Sequence, residues 1–247
     1  DKKRNIKDLF LLSEYLSVKK RSNPFIIMAG GKGLRLRPLT KKTPKPMLKV
    51  NGKPILEWII INAKKQGFNN FYLITNYLSK VIEDYFKNGK KFGVKIKVIK
   101  EDQFLGTIGG LYFAKKFIKE NFILTNGDIV SDIKYDEVLE FHDNLNSDAT
   151  LAVNPYYQKI SFGVIKTDGI KVKEITEKPI EKKYINAGVY VFKKEILKYI
   201  KKKEYLDVTN FINNLIMNKK KINAFALHEN WNDIGIRENL EKLKKSQ

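Results

Sequence analysis

An α/β fold is predicted for this chain, with a largely parallel sheet covered by helices on both faces. Three observations carry that expectation. Short apolar runs alternate with amphipathic helical stretches over residues 25–153, the pattern that builds parallel sheets. A length of 247 residues is enough for one sizeable core. A glycine-rich loop follows directly on the first apolar run, where such sheets gather ligands beyond the carboxyl ends of their strands.

Residues 24–29, Pro-Phe-Ile-Ile-Met-Ala, read as the first strand. Asn51-Gly52 makes a turn, Pro54 opens a helix and Gly67 closes it. A strand at 71–75, a helix at 78–86 ended near Gly89 and a strand at 94–99 follow. Thr107 is placed to cap a helix running to Ile118. Residues 122–125 read as a short buried strand that ends in Asn126-Gly127-Asp128. A helix at 135–145 and a strand at 150–153 complete the first half. The second half departs from this alternation. Residues 162–166 and 170–175 flank the turn Thr167-Asp168-Gly169 and predict a hairpin. A strand at 184–192, helices at 194–201 and 208–217, and a strand at 222–227 lead to Trp231-Asn232-Asp233 and a last helix.

Composition narrows the classes. The chain has no cysteine, which excludes a disulfide scaffold and a thiolate metal site and fits a reducing compartment. No stretch reaches the apolar length of a membrane span, and the charged start does not read as a signal sequence. A cytoplasmic location is expected. The net charge of +21 points first toward nucleic acid. However, only Arg4, Arg21, Arg35, Arg37 and Arg237 are arginine, and the lysines are spread along the whole chain. A lysine-rich composition with a site for anionic substrates explains the balance more simply. Neither nucleic acid nor membrane is an expected partner.

The loop itself reads Gly30-Gly31-Lys32-Gly33-Leu34-Arg35-Leu36-Arg37-Pro38-Leu39-Thr40, then Thr43-Pro44-Lys45-Pro46-Met47. Closely spaced glycines let backbone N–H groups converge on an anion. Arg35 adds a fork suited to phosphate oxygens, and Lys45 a point charge between two prolines. The P-loop spacing is absent, and Leu36 stands where the dinucleotide fingerprint needs its third glycine. The loop suits a polyphosphate. Arg37 is open between phosphate contact and loop anchor.

As a whole the string resembles the signature of the sugar-1-phosphate nucleotidylyltransferases, Gly-Gly-x-Gly-x-Arg-x-x-Pro-x-Thr followed by Pro-Lys-Pro-Met, and matches it at every defining position. The resemblance covers about residues 25–243. It implies a Rossmann-like three-layer α/β/α sandwich with a mixed, mostly parallel central sheet and a small inserted sugar-binding sheet. It also implies roles. Arg35 grips the β- and γ-phosphates and Lys45 approaches the α-phosphate. Ala29, Gly30, Gly31 and Gly33 line the nucleotide. Asp128 and Asp233 match the family's metal-binding aspartates, and carboxylate oxygens suit Mg²⁺. Lys178, in Glu177-Lys178-Pro179, neutralises the sugar phosphate, while Glu177, Asn126, Asn186 and Gly163 meet the sugar. NTP and sugar-1-phosphate are the implied partners; a homo-oligomer stays open.

Base choice falls to Glu101-Asp102-Gln103-Phe104-Leu105-Gly106-Thr107. Gly106 resembles the glycine that lets the base lie against main chain, and Thr107 follows it. Where Glu101 stands, many uridylyl- and thymidylyltransferases carry glutamine. A carboxylate only accepts, and guanine offers two adjacent donors, so GTP is the expected donor. Residues 1–23 resemble the final hairpin of a CBS domain followed by a polar linker, leaving residues 24–247 as the catalytic domain. An extension without function is the other reading. Together with Glu101 and the lysine content, this resembles the CBS-linked glucosamine-1-phosphate guanylyltransferases of legionaminic-acid synthesis, the CBS module being absent here. Mannose- or heptose-1-phosphate guanylyl transfer, uridylyl or thymidylyl transfer to glucose-1-phosphate, and a silent nucleotide-binding subunit remain as alternatives. Trp58 reads as core, and His142 and His228 as structural rather than catalytic.

Overall fold

The computed structural model describes residues 18–234, without the side chains of Asn232 and Asp233. The strand and turn expected near the N-terminus and the helix expected after Asp233 lie outside the described residues.

The first half alternates as its sequence pattern requires. It runs β1 (Phe25–Ala29), β2 (Lys49–Val50), β3 (Lys53–Pro54), α1 (Ile55–Lys65), β4 (Asn70–Thr75), α2 (Ser79–Phe86), β5 (Lys95–Lys100), α3 (Leu111–Ala114), β6 (Phe122–Asn126), β7 (Ile129–Ser131) and α4 (Tyr135–Asn144). Then follow β8 (Ala149–Lys159), β9 (Val164–Asp168), β10 (Lys171–Thr176), β11 (Ile180–Phe192), α5 (Val208–Met217), β12 (Ile222–Ala226) and β13 (Trp231–Asp233). The seven-stranded sheet has the order β12-β8-β11-β6-β1-β4-β5. β11 runs antiparallel to both its neighbours, and every other pairing in the sheet is parallel.

Period-two alternation in β1 divides the core. Phe25 and Ile27 enter one buried cluster with residues of α1, α2 and α4. Ile26 enters another with residues of α3 and α5. Both faces of the sheet are therefore dry, and the three-layer sandwich expected from the sequence is the observed one. Each such fully buried aliphatic side chain contributes about 1.5–3 kcal/mol.

Four expectations need correction. Thr107 does not open a helix to Ile118: Gly106 has φ +80°, Gly109 and Gly110 favour turns over helix, and α3 begins only at Leu111. Residues 194–199 form 3-10 turns rather than an α-helix. Strands expected at 150–153 and 184–192 extend to Lys159 and begin at Ile180, pairing as a long ribbon. Finally, Trp58 is half-buried rather than core, its indole N–H donating to Val50 O at 2.8 Å.

Candidate active site

The carboxyl ends of β1 and β6 open into a cleft of about 360 Å³. Its floor and rim include Ala29, Gly30, Gly31, Gly33, Arg35, Lys45, Glu101, Gly106, Thr107, Asn126 and Asp128. Most of the residues singled out from sequence thus meet in one place.

The glycine-rich loop is held from beneath. Gly33, at φ +60°, starts the 3-10 turn Leu34–Leu36, a conformation that costs L-residues about 1–2 kcal/mol. Its carbonyl accepts the fully buried Thr40 hydroxyl at 2.8 Å. Tyr77 closes the far side, its hydroxyl lying 3.1 and 2.9 Å from the carbonyls of Thr40 and Lys41. Nothing lies within 4 Å of a Cβ built on Gly31, which faces open space at the rim of the cleft. Sequence reasoning missed Tyr77, since a tyrosine just past a strand carries no signal of its own.

Lys45 reaches across from its proline-flanked turn and forms an ion pair with Asp128. The turn sits where it does because Pro46 packs against Gly127: a Cβ on Gly127 would lie 3.2 Å from the Pro46 ring and 2.9 Å from Met28 O. Asp233 belongs to β13, which pairs antiparallel with β7 so that Asp233 stands opposite Ile129. The Ile234 N–H donates to Asp128 O at 3.2 Å. The backbone therefore brings the two candidate metal aspartates side by side. Trp231 of β13 donates its indole N–H to Ala187 O at 2.9 Å. That bond ties β13 to the sheet.

Glu101 forms the back wall. It is 1% exposed, and its Oε1 has no hydrogen-bond partner. Burial pushes its carboxyl up from 4.5 to about 7. A Cβ on Gly110 would lie 1.7 Å from Glu101 Oε1, and one on Gly30 would lie 3.0 Å from Oε2. Two glycines thus make room for one acid. Gly110 escaped the sequence reading, although a Gly-Gly pair inside a proposed helix was the available warning.

The sugar-side candidates are split. Asn126 lines the cleft, and Gly188 backs it so closely that a Cβ there would meet Asn126 Nδ2 at 2.7 Å. The Asn186 amide donates to Tyr190 Oη at 2.6 Å, and its carbonyl oxygen accepts the Gly188 N–H at 3.0 Å; it shapes the chain around Gly188. Gly163 and Glu177 are brought together where the ribbon gives way to the β9–β10 hairpin, 3.1 Å from a built Cβ to Oε2. Lys178 is 60% exposed, 3.7 Å from Glu177, and outside the cleft lining, as is Arg37. His142 is buried with Nδ1 3.0 Å from Thr150 Oγ1, and burial lowers its imidazole to about 4.

The domain thus presents a glycine-rich loop with Arg35 and Lys45 beside Asp128 at the carboxyl ends of β1 and β6. This chain belongs to the nucleotidyl transferase family, whose sequence model matches residues 25–246. It is 36% identical over 218 residues to the bifunctional protein GlmU of Methanocaldococcus jannaschii, covering 85% of this chain and 50% of that protein. It is 30% identical over 218 residues to the mannose-1-phosphate guanylyltransferase catalytic subunit beta of Danio rerio, covering 85% of this chain and 60% of that one. The chain therefore spans only half to three-fifths of these relatives' length. Among solved structures, HddC from Yersinia pseudotuberculosis complexed with GMP-PN superposes with a TM-score of 0.71 at 26% identity, covering 90% of this chain and 98% of HddC.

Proposed function

We propose that this protein transfers a guanylyl group from GTP to a sugar-1-phosphate, glucosamine-1-phosphate in the first instance, giving the GDP-sugar and pyrophosphate. The observation that carries the reading is Glu101, a buried carboxyl with an unpartnered oxygen at the back of the cleft. Guanine's N1–H and exocyclic amine are the two donors such a group takes together, whereas uracil or thymine would set a carbonyl against it. The GMP-PN complex of HddC supports the same base.

The chemistry needs alignment and charge neutralisation more than covalent help. An oxygen of the sugar phosphate, already anionic, attacks the α-phosphorus of GTP. The bond to the β-phosphate oxygen breaks, and pyrophosphate leaves with both electrons. Arg35 and the Gly30–Gly33 main chain hold the β- and γ-phosphates, and Lys45 swings between Asp128 and the α-phosphate. Lys178, Glu177 and Gly163 meet the sugar phosphate from the ribbon, and Asn126 from below. The donor set fits magnesium: Asp128 offers oxygen only, its side chain is 26% exposed in the cleft, and Asp233 adjoins it on the backbone ladder. Bound there by Asp128 and Asp233, magnesium supplies neutralisation of the phosphate charge.

The choice of glucosamine-1-phosphate, and of legionaminic-acid synthesis in the cytoplasm as the route served, rests on the resemblance of the N-terminal segment and composition to CBS-linked guanylyltransferases. Uridylyl transfer is the second reading. It is favoured by the UTP–glucose-1-phosphate uridylyltransferase of Synechocystis, 29% identical over 230 residues. Pyrophosphate release over a matrix of GTP, UTP, dTTP and ATP against hexose-1-phosphates tests both. The fastest rate is expected with GTP and glucosamine-1-phosphate. A faster rate with mannose- or heptose-1-phosphate would move only the sugar, while a faster rate with UTP would overturn the base assignment.

A further inference from the structure

The loop that carries Gly106 and Thr107 is not self-supporting. A segment one hundred residues later, Tyr205–Val208, holds it along its whole length. Leu206 N–H donates to Leu105 O at 3.0 Å, and Leu206 O accepts from the N–H groups of Ile108 at 3.1 Å and Gly109 at 3.2 Å. Gly106 lies so close that a Cβ would sit 2.6 Å from Leu206 O. Asp207 Oδ1 accepts the Thr107 N–H at 3.1 Å and the Thr107 hydroxyl at 3.2 Å. The other carboxylate oxygen, Oδ2, accepts the Tyr205 hydroxyl at 3.0 Å.

The capping is reciprocal. Asp207 occupies the N-cap position of α5 yet makes no cap bond to its own helix. The Val208 N–H instead donates to Thr107 Oγ1 at 2.8 Å. A helix end satisfied by a loop from elsewhere fixes loop and helix to each other. Phe104, which lines the cleft and is 42% exposed, meets the ring of Tyr205 at 6.2 Å, edge to face. Tyr205 therefore binds the loop twice, by its ring and by its hydroxyl through Asp207.

From this juxtaposition we infer that Asp207 is a positioning residue for the nucleotide, acting through Thr107 and Gly106 to set the slot between that main chain and Glu101. The inference rests on the nucleotide-binding reading of the cleft. Asp207 is not among the residues lining the cleft, so its effect falls on nucleotide affinity and not on the sugar phosphate or the transfer step. Losing the two Thr107 bonds is worth about 1.4 kcal/mol, or tenfold in affinity.

The experiment compares wild type, Asp207→Ala and Asp207→Asn, with KM and kcat for GTP at saturating sugar-1-phosphate, KM for the sugar phosphate at saturating GTP, equilibrium GTP binding and Tm. For Asp207→Ala, KM and Kd for GTP should rise about tenfold while kcat and the sugar-phosphate KM stay within twofold. Asp207→Asn keeps an acceptor for Thr107 and should recover most of the loss; it also serves if the alanine variant fails to fold. An unchanged GTP affinity in both variants overturns the inference and leaves the cleft assignment standing. So does a loss shared equally by both substrates with a fallen Tm, since that marks mere structural damage. A wild-type protein that binds no nucleotide at all overturns both.

Discussion

Replacing Glu101 by glutamine exchanges one oxygen for an NH₂ group in a wall that is 1% exposed. The change tests function and stability in opposite directions. Burial holds the carboxyl near 7 in the folded protein against an ordinary 4.5. Because the folded value is raised, the stability Glu101 contributes is fully present below pH 4.5 and is lost as pH rises through 7. At about 1.36 kcal/mol per pKa unit, the shift corresponds to roughly 3 kcal/mol at pH 8 and under roughly 1 kcal/mol at pH 5. Glutamine never ionises, but it buries an amide with an unpaired donor. Glu101→Gln should therefore be more stable than wild type by about 1–3 kcal/mol at pH 8 and nearly equal at pH 5. On the proposed guanylyl reading, guanine would lose one of two charge-assisted bonds and face a donor in its place. That is worth about 2–3 kcal/mol, a 30- to 150-fold fall in kcat/KM for GTP with little change for UTP. Urea denaturation at the two pH values and pyrophosphate release with both nucleotides measure the two effects. A variant with unaltered GTP preference and no gain in stability at pH 8 would refute the reasoning.

Other outcomes follow from the same geometry. If Glu101 receives guanine as proposed, KM for GTP should rise as pH falls from 8 to 6, because the unliganded carboxyl sits near 7 and only its ionised form accepts both donors. Titration calorimetry in buffers of different ionisation enthalpy should find about half a proton released per GTP bound at pH 7; a flat profile counts against it. Lys45→Ala removes the ion pair with Asp128 and the cation that the proposed mechanism brings to the α-phosphate, so kcat should fall about 100- to 1,000-fold with Tm nearly unchanged, as single-turnover kinetics would read. Gly110→Ala places a methyl 1.7 Å from Glu101 Oε1. Discrimination between GTP and UTP should collapse and Tm should drop, and a variant that keeps both would mean the Glu101 side chain has another place to go.

Regions whose chemistry is local are legible in the sequence. β1, β4 and β6 announce themselves because each is a short apolar run buried on both faces, and the helices between them carry apolar spacing with glycine or proline at their ends. The glycine-rich loop is legible because glycine, arginine and proline have few other reasons to occur at that spacing. What stays hidden depends on partners far away in sequence. Thr107 has the residue type of a helix cap, and it is one, but for a helix one hundred residues later. Gly110 looks like helix interior because its reason, the acid at Glu101, lies on another element. The ribbon of β8 and β11 outruns its sequence signal because Tyr156–Lys159 and Ile180–Tyr184 are exposed on both faces, so no alternation marks them.

That ribbon carries the segment bearing Gly163 and Glu177 out from the end of the sheet at which the cleft opens. β8 runs in the same direction as β1 and β6, so its extension beyond Val153 leaves the sheet at the edge where the cleft opens. β11 must return antiparallel beside it, which makes it the single reversed strand between β6 and β8. On the way back its ladder with β8 is broken between Asn186 and Tyr190. There Gly188, at φ +72°, presses its backbone against Asn126. A larger residue would push β11 from β6 at the level of the cleft, because the close approach leaves no room for a side chain. The reversed strand and its irregularity are thus what bind the ribbon bearing Gly163 and Glu177 to the wall bearing Asn126. A purely parallel sheet would require a crossover connection at that position in place of the direct return along the ribbon.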